Sequence, residues 1–228
     1  MEKFIEDLTS SKFYHKLFET DEVLMIWVGG SRIFKCVDDY SDYDIVVLTR
    51  DTCDHHAKEY LRYHGENKVH WYFNCIDTYF NPIGIVLSDY IALTQLNYIY
   101  DDAIIYKNPE YINLIYDFLS KQKLVARLGD ILGYQYRKEL IESVVSDGFI
   151  SDRNKTKHLY MLCAMYYDIT KQNLDIEFLT KIKRIRWQEI DEKYLKQCVD
   201  ILGKFKDYMQ NIDIDEEVKK IKEKLVIK

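Results

Sequence analysis

The chain is sparsely punctuated. Only two prolines and eight glycines occur in 228 residues, and the sequence has no internal repeat and no low-complexity linker. No apolar run reaches the ~18 residues of a membrane span, so no membrane partner is expected. The N-terminal MEKFIEDLTS carries charges where a secretory leader would have its apolar core, and a cytoplasmic location is expected. Cysteine is also thin. The five thiols (Cys36, Cys53, Cys75, Cys163, Cys198) are scattered, odd in number and form no CxxC, so reduced structural thiols are expected rather than a disulfide framework. Positive charge is in deficit. With 32 Lys and Arg against 38 Asp and Glu, the net charge is −6, which argues against broad electrostatic binding of nucleic acid.

What is present suits a globular fold. Hydrophobic residues make up 47% of the chain and charged residues 31%, enough for a core and too apolar for disorder. Residues 2–19 have Phe4, Ile5, Leu8, Tyr14 and Leu17 at helical spacing. EVLMIWV (22–28) reads as a buried strand, and SRIFKCV (31–37) as a short helix. YDIVVLT (43–49) is a second strand, rich in β-branched residues. A helix capped by Asp51 or Thr52 is expected to run to about Tyr63, followed by a turn at His64–Asn67 and a strand at KVHWYFNCI (68–76). Residues 83–99 read as helix and AIIY (103–106) as a fourth strand. From 109 onward the pattern is helical, over 109–119, 122–147, 153–171, 191–209 and 214–227. The expected fold is α/β: a mixed β-sheet flanked by helices, with a helical C-terminal region. The expected domains are residues 1–120 and 121–228.

Chemistry concentrates in GGSRIFKCVDDYSDYD (29–44). Asp42 and Asp44 alternate at the start of a strand, so both carboxylates face one way and Tyr43 the other. Two adjacent like charges repel unless a cation lies between them, and oxygen ligands favour Mg²⁺ or Mn²⁺. Gly29 and Gly30 allow close backbone approach and positive φ. Ser31 starts a helix whose N–H groups suit phosphate oxygens, and Arg32 adds a fork of donors. Strand, GGS, helix, SDYD, strand in that order predicts a phosphate cradle facing a metal-holding carboxylate pair.

The segment GSRIFKCVDDYSDYDIVVL resembles the signature of the DNA polymerase β-like nucleotidyltransferase superfamily. It is most similar to the predicted nucleotidyltransferases of phages and bacteria, through Gly30-Ser31-Arg32 and Ser41-Asp42-Tyr43-Asp44. The resemblance implies a nucleotidyltransferase-type sheet over residues 1–120 and a metal-dependent enzyme that binds ATP or another NTP. Its metal would be Mg²⁺ (or Mn²⁺), held by Asp42 and Asp44. Gly29, Gly30, Ser31 and Arg32 would hold the nucleotide, joined by Lys157 from the helix RNKTKHLYMLCAMYYDI (153–169), which looks like the family's C-terminal helix. An acceptor hydroxyl on a small molecule, an RNA end or a protein would receive the NMP with release of pyrophosphate.

There are two departures. Lys35-Cys36 stand where the family has Gly-Leu. The superfamily's third carboxylate has no counterpart in the body of KVHWYFNCI, where His70 takes its place and Asp77 lies just beyond. Both are candidate bases. The second reading is therefore a catalytically degenerate member acting as a nucleotide- or partner-binding module in a toxin–antitoxin or phage setting.

Other clusters read as structural. Cys53-Asp54-His55-His56 matches no zinc spacing. Lys155, Lys157 and His158 begin a helix capped by Asp152, a solvated start from which Lys157 reaches a triphosphate only if the helix closes over the cleft, and KIKRIRW (181–187) is a basic, solvated face with Trp187 half in the core. The tail VKKIKEKLVIK is an amphipathic helix.

Overall fold

The computed structural model describes residues 2–20, 22–33, 42–50, 59–64, 67–76, 99–147, 153–173, 175–183 and 191–225; of these, Thr20, Ser31, 59–64, Asp147 and 153–158 are described by backbone alone. The apolar run after Glu22 becomes strand β1 (Val23–Gly29), buried along its whole length. Continuous burial is what an apolar run without alternation requires, because both faces must be covered. β1 lies between β2 (Tyr43–Thr49) and β5 (Ile104–Lys107), antiparallel to both. β2 pairs in parallel with β4 (Asn67–Cys75), and β3 (Glu59–His64) pairs antiparallel with β4. The result is a five-stranded mixed sheet in the order β3-β4-β2-β1-β5.

Strand alternation divides the side chains between two cores. One face collects Ile26, Val28, Ile45, Val47, Val69, Trp71 and Phe73, covered by Phe4 and Leu8 of α1 (Glu2–Thr9) and by Tyr14 and Leu17 of α2 (Lys12–Thr20). The other face sends Met25, Trp27 and Leu48 into a larger cluster with the C-terminal helices. These are α3 (Ile112–Tyr136), α4 (Lys138–Asp147), α5 (Arg153–Ile169), α6 (Ile176–Lys183), α7 (Glu192–Gln210) and α8 (Ile214–Lys224). Trp27 meets Phe118 of α3 with ring centroids 6.4 Å apart. Phe118 is 1% exposed, so Phe118→Ala should lower the unfolding free energy by ~3–5 kcal/mol through lost burial and a residual cavity. Urea denaturation of the two proteins checks this.

The structure corrects several local expectations. The single helix over 2–19 is two. Thr9 Oγ1 and Ser10 Oγ donate to the carbonyls of Ile5 (2.9 Å) and Glu6 (2.8 Å), and Ser11 Oγ accepts from Tyr14 N (3.2 Å). These short hydroxyls end one helix and cap the next. The helix expected to reach Tyr63 is replaced over 59–64 by β3. His64 pairs with Asn67 across a two-residue connection, so the turn signal closes a hairpin and Tyr60, Leu61 and Tyr63 pair as strand. The helix expected over 122–147 breaks at Arg137, whose N–H reaches the carbonyls of Gly133 and Tyr134. α3 runs unbroken through residues 120 and 121, so the expected domain division falls inside a helix.

Residues 83–98 of the helix expected over 83–99, Lys35-Cys36, the Cys53–His56 cluster and Trp187 lie outside the described residues, and Ile99 is not helical. Cys75, Cys163 and Cys198 are buried and carry free thiols. Among the described residues no helix is long and apolar enough to cross a membrane.

Candidate metal and phosphate site

Antiparallel pairing brings the end of β1 to the start of β2, with Gly29 opposite Asp44. Parallel pairing brings the start of β4 to the same end, with Asp44 opposite His70. Residues opposite one another in a sheet share a face. Asp42 and Asp44 therefore stand on the same face as Lys68, His70 and Tyr72, while Tyr43 turns to the other core. Potential ligand atoms of Asp42, Asp44 and His70 all lie within 4.8 Å of one another, and all three residues are half-buried.

Hydrogen bonds and charge tie the cluster together. Tyr72 Oη stands 3.0 Å from His70 Nδ1 and donates to Asp44 Oδ1 at 3.3 Å. His70 Nδ1 is 3.6 Å from Asp42 Oδ2, and Lys68 Nζ is 3.3 Å from the same oxygen. The Lys68 side chain is 43% exposed, so this pair contributes at most ~1 kcal/mol and yields readily to another cation. Two carboxylates and one imidazole are donors that could hold a divalent metal ion.

The turn after β1 is pressed against this cluster. Gly30 has φ +70° and opens a 3₁₀ turn, Gly30–Arg32. A Cβ there would overlap Asp44 Oδ2 and stand 2.8 Å from Asp44 Cγ, so only glycine lets the backbone come this close. Gly29 is different. Its backbone is extended (φ −115°, ψ −168°), and an added Cβ would make ordinary contact with Val46 at 3.5 Å.

Arg32 faces elsewhere. Its Nε donates to the backbone carbonyl of Asp42 at 3.0 Å, and its Cζ lies 3.8 Å from the centre of the Tyr43 ring. Phe4 stacks on that ring at 3.6 Å. Neither distance leaves room for both groups on one face, so Tyr43 is held between them. Arg32 thereby braces the start of β2 and sets the position of the Asp pair.

Of the residues expected at the site, Asp42, Asp44, His70 and Gly30 come together. Gly29 lies behind them in β1 and Arg32 on the Tyr43 side. The side chains of Ser31 and Lys157 are outside the described residues, as is Asp77. Lys68 and Tyr72 were not anticipated. Their signal was the two-residue spacing from His70, which becomes readable once β4 is known to be a strand with one face at the site.

No family model matches the chain, and no curated protein matches it. Among solved structures, it is similar to a nucleotidyltransferase-like protein from Exiguobacterium sibiricum 255-15. The identity is 11%, the match covers 95% of this chain and 78% of that one, and the TM-score is 0.35.

Proposed function

We propose that the protein is a metal-dependent nucleotidyltransferase that moves an NMP from an NTP to an acceptor hydroxyl. The observation that carries this reading is the convergence of Gly30, Asp42, Asp44 and His70 at one end of the sheet. The GSR and SDYD segments supply the matching sequence pattern. Asp42 and Asp44 would hold the divalent cation, which when bound neutralises charge on the triphosphate and on the departing pyrophosphate. The backbone N–H groups of the Gly30–Arg32 turn would receive phosphate oxygens. Lys68 would move from Asp42 to the triphosphate as the cation takes its place. The acceptor oxygen attacks the α-phosphorus, and the bond from that phosphorus to the bridging oxygen breaks. Pyrophosphate leaves, and the hydroxyl proton passes to a base, for which His70 and Asp77 are the candidates.

Substitution of both aspartates tests the reading. Asp42→Asn with Asp44→Asn should reduce pyrophosphate release by on the order of a thousandfold, ~4 kcal/mol of transition-state stabilisation. The circular dichroism spectrum should be unchanged, because the Arg32 brace uses the backbone of Asp42. Turnover at the wild-type rate in the double variant would end this proposal.

A second reading, a nucleotide- or partner-binding module without turnover, draws support from His70 in place of a third carboxylate. It predicts metal-dependent NTP binding with no pyrophosphate formed against any acceptor.

A further inference from the structure

We propose that His70 is itself a ligand of the cation and sets the metal preference of the site, favouring Mn²⁺ over Mg²⁺. This rests on the reading that Asp42 and Asp44 hold a divalent cation.

Three observations carry it. The first is register: Asp44 and His70 are direct partners in adjacent parallel strands, so the imidazole is delivered beside the carboxylate by the sheet itself. The second is distance. His70 Nδ1 lies 3.6 Å from Asp42 Oδ2, too far for a hydrogen bond. Two ligands at ~2.1 Å from one ion stand roughly 3–4 Å apart, so this gap matches a shared ion. The 4.8 Å limit on the whole set requires only a small closure. The third is support from the surrounding residues. Tyr72 Oη donates to Asp44 Oδ1, the kind of outer partner that fixes the orientation of a ligating carboxylate, and its 3.0 Å contact with His70 Nδ1 gives way when the cation takes that nitrogen's lone pair.

The consequence follows from donor chemistry. Mg²⁺ seeks oxygen ligands in near-ideal octahedral geometry and sheds water reluctantly, so a protein imidazole adds little to its binding. First-row transition ions gain from nitrogen, and among them Mn²⁺ also suits carboxylates. Two carboxylates plus one imidazole form a mixed set on which Mn²⁺ is held by all three residues and Mg²⁺ mainly by two. A residue holding the cation cannot also take the proton of the acceptor, so this assignment removes His70 from the candidate bases.

Binding of the metal alone tests the assignment without any activity. Mn²⁺ is titrated into nucleotide-free protein and followed by the electron paramagnetic resonance signal of the free ion, then displaced with Mg²⁺. His70→Gln should weaken Mn²⁺ binding by about tenfold or more while leaving Mg²⁺ within about twofold. His70→Asp should shift the ratio of the two affinities toward Mg²⁺ by at least about tenfold. Circular dichroism confirms that each variant is folded, and either variant alone decides the matter.

Suppose Mn²⁺ affinity and the Mn²⁺/Mg²⁺ ratio are unmoved by both His70 substitutions but collapse in Asp42→Asn. The ligand role is then overturned, and the proposed function stands. If neither Asp42→Asn nor Asp44→Asn weakens Mn²⁺ binding, or wild type binds no Mn²⁺, both readings fall.

Discussion

Gly30→Ala is expected to disable the site while Gly29→Ala leaves it working, although the two glycines are adjacent. At Gly30 the new methyl would overlap Asp44 Oδ2, and Asp44 Cγ and Cβ would lie at 2.8 and 3.2 Å. The φ of +70° adds a backbone cost of about 1–2 kcal/mol for any residue with a Cβ. The clash is with a side chain, so the protein can relieve it by rotating Asp44. That rotation pulls Oδ1 from the Tyr72 hydroxyl and moves the carboxylate away from Asp42 and His70. The damage therefore falls on function more than on stability. A displacement of about 1 Å in such a constellation costs roughly a hundredfold in rate. At Gly29 an alanine meets Val46 at 3.5 Å on an extended backbone, and losing a strand glycine offsets part of any strain. Pyrophosphate release and Mn²⁺ affinity should thus fall together in Gly30→Ala and stay near wild type in Gly29→Ala. Equal behaviour of the two variants would mean that the turn does not press on Asp44 as described.

The second large effect concerns stability and lies away from the site. Asp130, on α3, is 1% exposed and faces the Asp168 carboxylate, to which it can donate a hydrogen bond only when protonated. Burial drives its pKa well above the usual carboxylate value, and Asp168 raises it further against the opposing charge of Arg127. The folded protein thus holds this proton more tightly than the unfolded chain does. The contribution of Asp130 is fully present below the unfolded pKa, ~3.9, and is lost as pH rises through the folded pKa, by at most ~1.4 kcal/mol per pH unit. Asp130→Asn keeps the size and removes the titration. Its unfolding free energy should match wild type near pH 4 and exceed it as the pH rises, the gap growing until the folded carboxyl has ionised. Urea denaturation at several pH values reads the difference directly. A constant gap between the two proteins across that range would show that Asp130 does not titrate on unfolding.

How far these features were legible depends on how local they are. β1, β2, β4 and β5 were readable within a residue or two, because burial on both faces or alternation leaves a pattern in a short window. Gly30, Asp42 and Asp44 were readable as a pair of signals because one strand pairing brings them together. β3 was misread, since EYLRYH carries both helical and strand spacing and only the edge of β4 decides between them. The split of the first helix was overlooked because Ser10 and Ser11 interrupt no apolar position; their hydroxyls do the breaking. Arg32 was expected to turn toward phosphate, yet it lies over Tyr43, a choice made by stacking with Phe4 from a distant helix.

Taken by itself, the amino-acid order determined the class of fold, the strands that carry the site and the presence of two alternating carboxylates after a glycine turn. Those are consequences of period, propensity and backbone freedom, which act over a few residues. Only the tertiary structure decided that His70 stands beside Asp44, that Lys68 and Tyr72 share their face, and that Gly30 rather than Gly29 touches a carboxylate. Strand order and register set these neighbours. They are chosen by the burial of two cores at once, so no short window of sequence contains them.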